Sequence, residues 1–194
     1  MGKPKLLLPW GETSVLGHLL EQWKSLGVRQ VAVVCPADAN PILGEMDRIG
    51  VAQENRILNP EPGRGMFSSV QCAANWPGWS SGITHWLITL GDQPHLRGKT
   101  LRALLDFGAA NANRICQPMR DGRRKHPVLL PQRHFARLKN TLAGDLKMFL
   151  VEHAPELSGF ESDDAGLDFD MDTPEEYERV QRLCFGGTNS ASVI

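Results

Sequence analysis

The stretch Trp86-Leu87-Ile88-Thr89-Leu90-Gly91-Asp92-Gln93-Pro94 (WLITLGDQP, residues 86–94) decides the fold class of this chain. Its first five residues form a short, continuous run of apolar and β-branched side chains, which is typical of a buried strand. The glycine, aspartate and proline that follow favour a turn directly after that strand. A second run of the same kind, QVAVVC, occupies residues 30–35.

Helical patterns alternate with these strands. The apolar residues between Val15 and Leu26 recur at helical spacing, and Gly27 is placed to end that helix. Thr173 and Pro174 supply an N-cap and a first-turn proline for a last helix, and residues 167–171 (LDFDM) predict a short strand before it. Such alternation predicts an α/β fold: a mostly parallel, Rossmann-like sheet flanked by helices. Ligands bind outside the carboxyl ends of the strands in such sheets.

Composition and charge exclude several classes of protein. The 194 residues carry a formal net charge of −1, so a general affinity for nucleic acid is not expected. No apolar stretch approaches the ~20 residues of a membrane span, and the N-terminus does not resemble a secretory signal. The four cysteines form no C-x-x-C pair, which argues against zinc and disulfides and favours the cytoplasm.

Two aspartates follow predicted strands and are candidate metal ligands. Asp92 follows the run at residues 86–90, and Asp172 follows the run at residues 167–171. Paired carboxylates of this kind suit Mg²⁺, which is usually held by one or two carboxylates together with substrate phosphates. The alternatives are structural, because Asp92 also suits a turn, and either Asp172 or Thr173 could cap the last helix.

Two further segments suit an anionic ligand. The glycine-rich loop at residues 59–65 runs into a helix whose first turn holds Ser68 and Ser69, and free backbone amides in that turn can bind a polar or anionic group. Residues 122–127 (GRRKHP) place three cations in a row, which could meet a phosphate. An ordinary loop and a solvated basic run are the structural alternatives for these two segments.

Five segments, taken in order, resemble the MobA-like NTP transferases, and the GDQP form is most similar to the molybdenum cofactor cytidylyltransferase branch. These segments are MGKPK at 1–5, NPEPGRGMFSSV at 59–70, LGDQP at 90–94, GRRKHPVLL at 122–130 and DMDTPEEY at 170–177. The resemblance implies a nucleotide-diphospho-sugar transferase-like fold. It also implies transfer of a nucleotidyl group from an NTP to a phosphorylated acceptor, with Mg²⁺ as cofactor and pyrophosphate as product.

The resemblance also implies roles for individual residues. Asp92 and Asp172 would hold the metal, with Asp92 and Lys5 as the catalytic pair and Lys5 against the NTP phosphates. The base or ribose would lie along a set of residues in the second segment: Gly65, Met66, Ser68 and Ser69. His126 and its basic neighbours would face the acceptor.

The chain also departs from the family pattern. Family members carry a buried strand and a glycine-rich LAAG-x-S-x-R loop directly before Met-Gly-x-x-Lys, and this sequence starts at that Met-Gly. We therefore expect a gap in the sheet, uncovered apolar edges at residues 31–34 and 87–90, and an incomplete phosphate cradle. Lys125 replaces a family glycine before His-Pro, and residues 144–149 lack the family's second glycine and arginine.

The sequence thus predicts one domain over residues 1–185 and a flexible tail over 186–194. The expected activity is nucleotidyl transfer to an acceptor such as molybdopterin cofactor, with CTP favoured and GTP as the other candidate donor. The alternative is a non-catalytic protein that binds a nucleotide or cofactor during molybdoenzyme maturation, and a molybdoenzyme or its chaperone would be a partner in either case. A dinucleotide-dependent dehydrogenase is not favoured, because no G-x-G-x-x-G follows a predicted strand.

Overall fold

A computed structural model describes residues 4–186 of the chain. The predicted tail lies outside the described residues, apart from Gly186. Helices and strands alternate along most of the described part, as an α/β fold requires. In chain order they are β1 (Pro9–Trp10), β2 (Thr13–Ser14), α1 (Val15–Ser25), β3 (Val33–Pro36), α2 (Asn40–Arg48), β4 (Arg56–Asn59), α3 (Met66–Asn75), β5 (His85–Ile88), α4 (Gly98–Ala110), β6 (Ile115–Arg120), β7 (Arg123–Arg124), β8 (Val128–Pro131), α5 (Gln132–Arg137), α6 (Leu146–Glu152), β9 (Leu157–Glu161) and α7 (Pro174–Phe185).

Strand pairing is mixed, which corrects the prediction of a mostly parallel sheet while leaving the α/β class intact. β3 pairs with β4 in parallel, and β6 pairs with β9 in parallel. The pairs β5 with β8, β6 with β8 and the hairpin of β6 with β7 are all antiparallel. The two-residue turn at Asp121 and Gly122 explains the β6–β7 pair, because a tight hairpin can join only antiparallel strands.

The sheet is divided into two main parts. Within the described residues β3 pairs only with β4, and β5 pairs only with β8. A cavity of about 590 Å³ lies between β3 and β5 and is lined by apolar side chains from both. The strand residues facing it are only half-buried, and residues 31–34 and 87–90, where uncovered apolar edges are expected, are among them.

In the late part of the chain, the predicted strand at residues 167–171 is wrong. Residues 167–171 were expected to form a strand, but a short 3₁₀ turn at Ala165–Asp168 and irregular backbone occupy this segment. The strand is instead Leu157–Glu161, which pairs with β6. A short run of alternating polarity can bury its apolar side chains without strand pairing, and Leu167 and Met171 do so.

Helices pack on the sheets through apolar faces. α3 and α6 cover β6 and β8 through Phe67, Val70 and Phe149. α1 packs on β3 and α2 through Leu16 and Leu20. No helix within residues 4–186 is both long enough and apolar enough to cross a lipid bilayer.

Candidate active site

Asp92 lies in the turn after β5, as the sequence predicts. One carboxylate oxygen, Oδ1, is buried and has no hydrogen-bond partner among the described residues. The other, Oδ2, lies 3.5 Å from the Nζ atom of Lys5, and the side chain as a whole is 29% exposed. A partly buried carboxylate with an unsatisfied oxygen is costly unless a ligand completes it, so this position points to a binding role rather than to a plain turn.

Lys5 reaches the same point from the start of the described chain. It begins a short 3₁₀ turn, Lys5–Leu7, whose Leu6 packs directly on Gly91. A Cβ atom at position 91 would come within 2.7 Å of Leu6 Cδ2, so the glycine permits the close approach that brings Lys5 beside Asp92. Partial burial lowers the pKa of the Lys5 ammonium, but the hydrogen bond to Asp172 and the charge of Asp92 outweigh that effect and raise the pKa overall.

Asp172 completes the group from the N-terminus of α7. Its carboxylate accepts a hydrogen bond from the Lys5 ammonium. The alternative that it caps α7 is resolved by Thr173, whose hydroxyl accepts from the Glu176 N–H while the Glu176 carboxylate accepts from the N–H groups of Asp172 and Thr173. This capping box holds the Asp172 backbone and leaves its carboxylate, 67% exposed, for other partners.

The loop between β4 and α3 is organised around the buried side chain of Asn59. Its amide donates to Ser68 Oγ over 2.8 Å and to Ser69 Oγ over 3.0 Å. Ser68 is itself buried, and its hydroxyl donates to the Gly65 carbonyl over 2.8 Å. The loop therefore uses the Ser68 hydroxyl in its own hydrogen bonds, and the expectation that this residue lies along a nucleotide stays a prediction.

Gly65, Met66 and Ser69 have different positions in this loop. Gly65 has φ 86° and ψ 176°, a conformation that is essentially restricted to glycine, and a Cβ there would meet no atom within 4 Å. Met66 and Ser69 line the cavity between β3 and β5. Lys5 and Asp92 line it as well, so four of the residues singled out in the sequence meet in one space.

His126 lies near Asp92 but does not line the cavity. Burial lowers the pKa of its imidazole, an effect that the Asp92 charge partly opposes, and its Nδ1 atom is buried without a hydrogen-bond partner among residues 4–186. Lys125 and Arg120 are each held 2.6 Å from Asp168. Arg123 and Arg124 are exposed on β7 and make no ion pair within the described residues.

His95 and Asp164 were missed by the sequence reasoning. Asp164 is 1% exposed and accepts hydrogen bonds from the Arg97 N–H, the Thr100 hydroxyl and the Gly166 N–H. His95 is buried, with its Nε2 atom 3.0 Å from the Gly166 carbonyl, and its Nδ1 atom has no hydrogen-bond partner in the described part of the chain. Together they fix the segment after Asp92 against the Ala165–Asp168 turn. The only local signal was their closeness in sequence to GDQP and to the late acidic motif.

This arrangement can bind a polyanion together with a divalent cation. No cluster of three or more metal-ligating side chains occurs within the described part of the chain. Two carboxylates alone suit a hard cation such as Mg²⁺ or Mn²⁺ whose remaining ligands are water and substrate oxygens. The Lys5 ammonium would then contact the charged part of a ligand, and the adjoining apolar cavity would hold the flat part of the same ligand.

Comparison with known proteins gives a consistent result. Residues 1–156 match the family described as MobA-like NTP transferase domain. The fold is similar to that of a Methanothermobacter thermautotroptrophicus nucleotidyl transferase, with a TM-score of 0.73 at 20% identity over 92% of this chain and 84% of that one. Mycobacterium tuberculosis Rv0371C, crystallised as a complex with manganese, gives a TM-score of 0.69 at 24% identity over 93% of both chains.

Molybdopterin-guanine dinucleotide biosynthesis protein A from Archaeoglobus fulgidus also shares the fold. Its TM-score is 0.65 at 16% identity, over 94% of this chain and 91% of that one. At these identities the structural matches show the fold alone. No curated protein matches the chain in sequence.

Proposed function

Since this chain belongs to the MobA-like NTP transferase domain family, we propose that it transfers a nucleotidyl group from an NTP to a phosphorylated small-molecule acceptor and releases pyrophosphate. The observation that carries the proposal is that Lys5 and Asp92 line the cavity between β3 and β5 and that Lys5 also pairs with Asp172. We further assign CTP as the preferred donor, because the GDQP form resembles the cytidylyltransferase branch, with GTP as the competing donor.

The cavity suits the nucleoside part of an NTP. Its walls are mainly apolar, as a base requires, and Ser69 and Met66 lie along one side. Lys5 lies at the charged end and would neutralise the triphosphate. Because an acceptor phosphate can attack the α-phosphorus directly, no protein nucleophile is needed, and catalysis depends on position and charge.

The residues present fit a divalent cation. The buried, unpartnered Oδ1 atom of Asp92 is the observation that favours one, since a carboxylate oxygen in that state needs a hydrogen-bond donor or a cation. Asp92 and Asp172 would hold the ion, and we propose Mg²⁺. The bound ion would offset negative charge on the phosphates and on departing pyrophosphate.

The acceptor side is assigned to the hairpin of β6 and β7. Arg123 and Arg124 are exposed and carry no ion pair within the described residues, so they can meet an anionic group. A phosphorylated acceptor such as molybdopterin cofactor fits this charge, and a molybdoenzyme or its maturation chaperone would be the protein partner. We place this reaction in the cytoplasm.

The test is pyrophosphate release from CTP and from GTP, with and without Mg²⁺ and with molybdopterin cofactor as acceptor. We expect release that requires metal and acceptor, with CTP faster than GTP. Binding of an NTP without turnover would instead favour the non-catalytic alternative. Failure to bind either NTP, in a folded protein, would contradict the proposal.

A further inference from the structure

Lys5 makes a contact that its assignment to the NTP phosphates does not explain. Its ammonium bridges the two carboxylates assigned to the cation, lying 3.5 Å from Asp92 Oδ2 and donating a hydrogen bond to Asp172 Oδ1. These two carboxylates are its only ion-pair partners among residues 4–186. Lys5 therefore occupies the space between the groups that would hold a metal.

Packing of the neighbouring residue positions the backbone of Lys5. Leu6, the next residue, contacts Gly91 on one side and packs against apolar side chains of α1 and α2 on the other. The Asp172 backbone is held in turn by the Glu176 carboxylate. Both ends of the bridge are thus anchored, and the ammonium is only 32% exposed.

A cation cannot share this space with the ammonium. Mg²⁺ binds oxygen at roughly 2.1 Å, so an ion that bridged Asp92 and Asp172 would lie in the space between the two carboxylates that the Lys5 ammonium now fills. Two cations at such short range also repel each other strongly in a partly desolvated site. Lys5 must leave when the ion binds, and it then needs another anion as partner.

We propose that Lys5 acts as an internal counter-ion that excludes free divalent cations from Asp92 and Asp172 and is exchanged for the metal when an NTP arrives. The triphosphate is the anion that receives the displaced ammonium. This inference rests on the proposed function and adds a regulation of the same site: the metal enters with the nucleotide rather than before it.

The experiment is a titration with MnCl₂ alone, followed by electron paramagnetic resonance of free Mn²⁺, for the wild type, Lys5→Met and Lys99→Met. Lys99 is a matched control, because it also pairs with an aspartate, Asp163, but away from this site. The titration is repeated with α,β-methylene CTP, which cannot react. Thermal unfolding verifies that each protein is folded, and Lys5→Gln replaces Lys5→Met if the latter does not fold.

We expect Lys5→Met to bind Mn²⁺ alone at least about tenfold more tightly than the wild type, the factor for loss of one competing charge-assisted hydrogen bond. Lys99→Met should behave as the wild type. The analogue should strengthen Mn²⁺ binding by the wild type more than by Lys5→Met.

Two results overturn the inference and separate it from the proposed function. If folded Lys5→Met binds Mn²⁺ alone no more tightly than the wild type, while the analogue still promotes Mn²⁺ binding, the counter-ion role is wrong and the proposed function stands. If none of the proteins binds Mn²⁺ even with the analogue, both the metal site and the counter-ion role are wrong.

Discussion

At the residue scale, the two carboxylate oxygens of Asp92 have different surroundings. Its carboxylate is partly buried beside Lys5, and one oxygen has no partner among the described residues. A structural turn residue would direct its carboxylate to backbone N–H groups, as Asp164 does toward Arg97 and Gly166. The contrast between these two aspartates supports the proposed binding role of Asp92.

Asp92→Asn should therefore reduce metal-dependent pyrophosphate release by about a thousandfold, because the ion loses a charged ligand at the point where transition-state charge develops. Stability should change little, since the substitution is nearly isosteric. The measurement is steady-state turnover together with urea unfolding. Asp163→Asn is the control, because Asp163 is an exposed partner of Lys99 and should leave turnover unchanged. Full activity in folded Asp92→Asn would restore the turn interpretation.

At the element scale, the ends of helices hold the site together. The capping box of α7 fixes the backbone of Asp172, and the hydrogen bonds of Asp164 join the start of α4 to the Ala165–Asp168 turn. Helix termini can do this because their first N–H groups have no partner within the helix. The candidate site depends on these two anchors although neither contains a ligand to it.

Thr173→Ala removes the hydroxyl that accepts from the Glu176 N–H. We expect a loss of about 1 kcal/mol in the free energy of unfolding, the usual value for an N-cap. The apparent KM for the metal–NTP complex should rise more than kcat falls, because Asp172 becomes less well positioned. Thr173→Ser keeps the hydroxyl and should behave as the wild type. Equal stability of the alanine and serine variants would show that the cap contributes nothing.

Asp164→Ala tests the second anchor. The substitution leaves a buried hydroxyl and two backbone N–H groups without an acceptor, so we expect destabilisation of about 3 kcal/mol. Urea unfolding gives this value directly. Asp163→Ala, at the exposed neighbouring position, should lie within about 0.5 kcal/mol of the wild type. Similar losses in both variants would mean that the burial of Asp164 is not what matters.

At the scale of the whole molecule, burial affects the titration of several histidines. Burial lowers the pKa values of His95, His126 and His134. The charge of Asp92 partly opposes this shift at His95 and His126, and Glu156 partly opposes it at His134. In the unfolded chain these imidazoles titrate near a pKa of about 6.5. As the pH falls through that value, the unfolded chain binds protons that the folded chain does not.

Stability should therefore be highest at neutral pH and fall between pH 7.5 and 5.5, by at most about 1.4 kcal/mol per pH unit for each histidine. Urea unfolding at several pH values measures this slope. His134→Gln, which lies away from the candidate site beside Glu156, should make the slope shallower. Stability that stays constant across this range would show that burial does not lower the pKa values of these imidazoles.

The sequence by itself determined the α/β class, the helix from Val15, the turn after β5 and the cap of α7. These features depend on neighbours in sequence, such as apolar spacing, turn residues and a threonine three positions before a glutamate. The order of five segments also indicated the family that the comparison then confirmed.

Only the tertiary structure decided the pairing of strands and the composition of the site. Leu157–Glu161 contains serine and glycine and has little strand propensity of its own, and it is a strand because β6 offers it a partner. Ser68 turns inward because Asn59 lies beneath it. Lys5 and Asp172 lie 167 positions apart, and no local pattern says that they touch. Their contact follows from the packing of Leu6 on Gly91 and the docking of α7, which are long-range interactions.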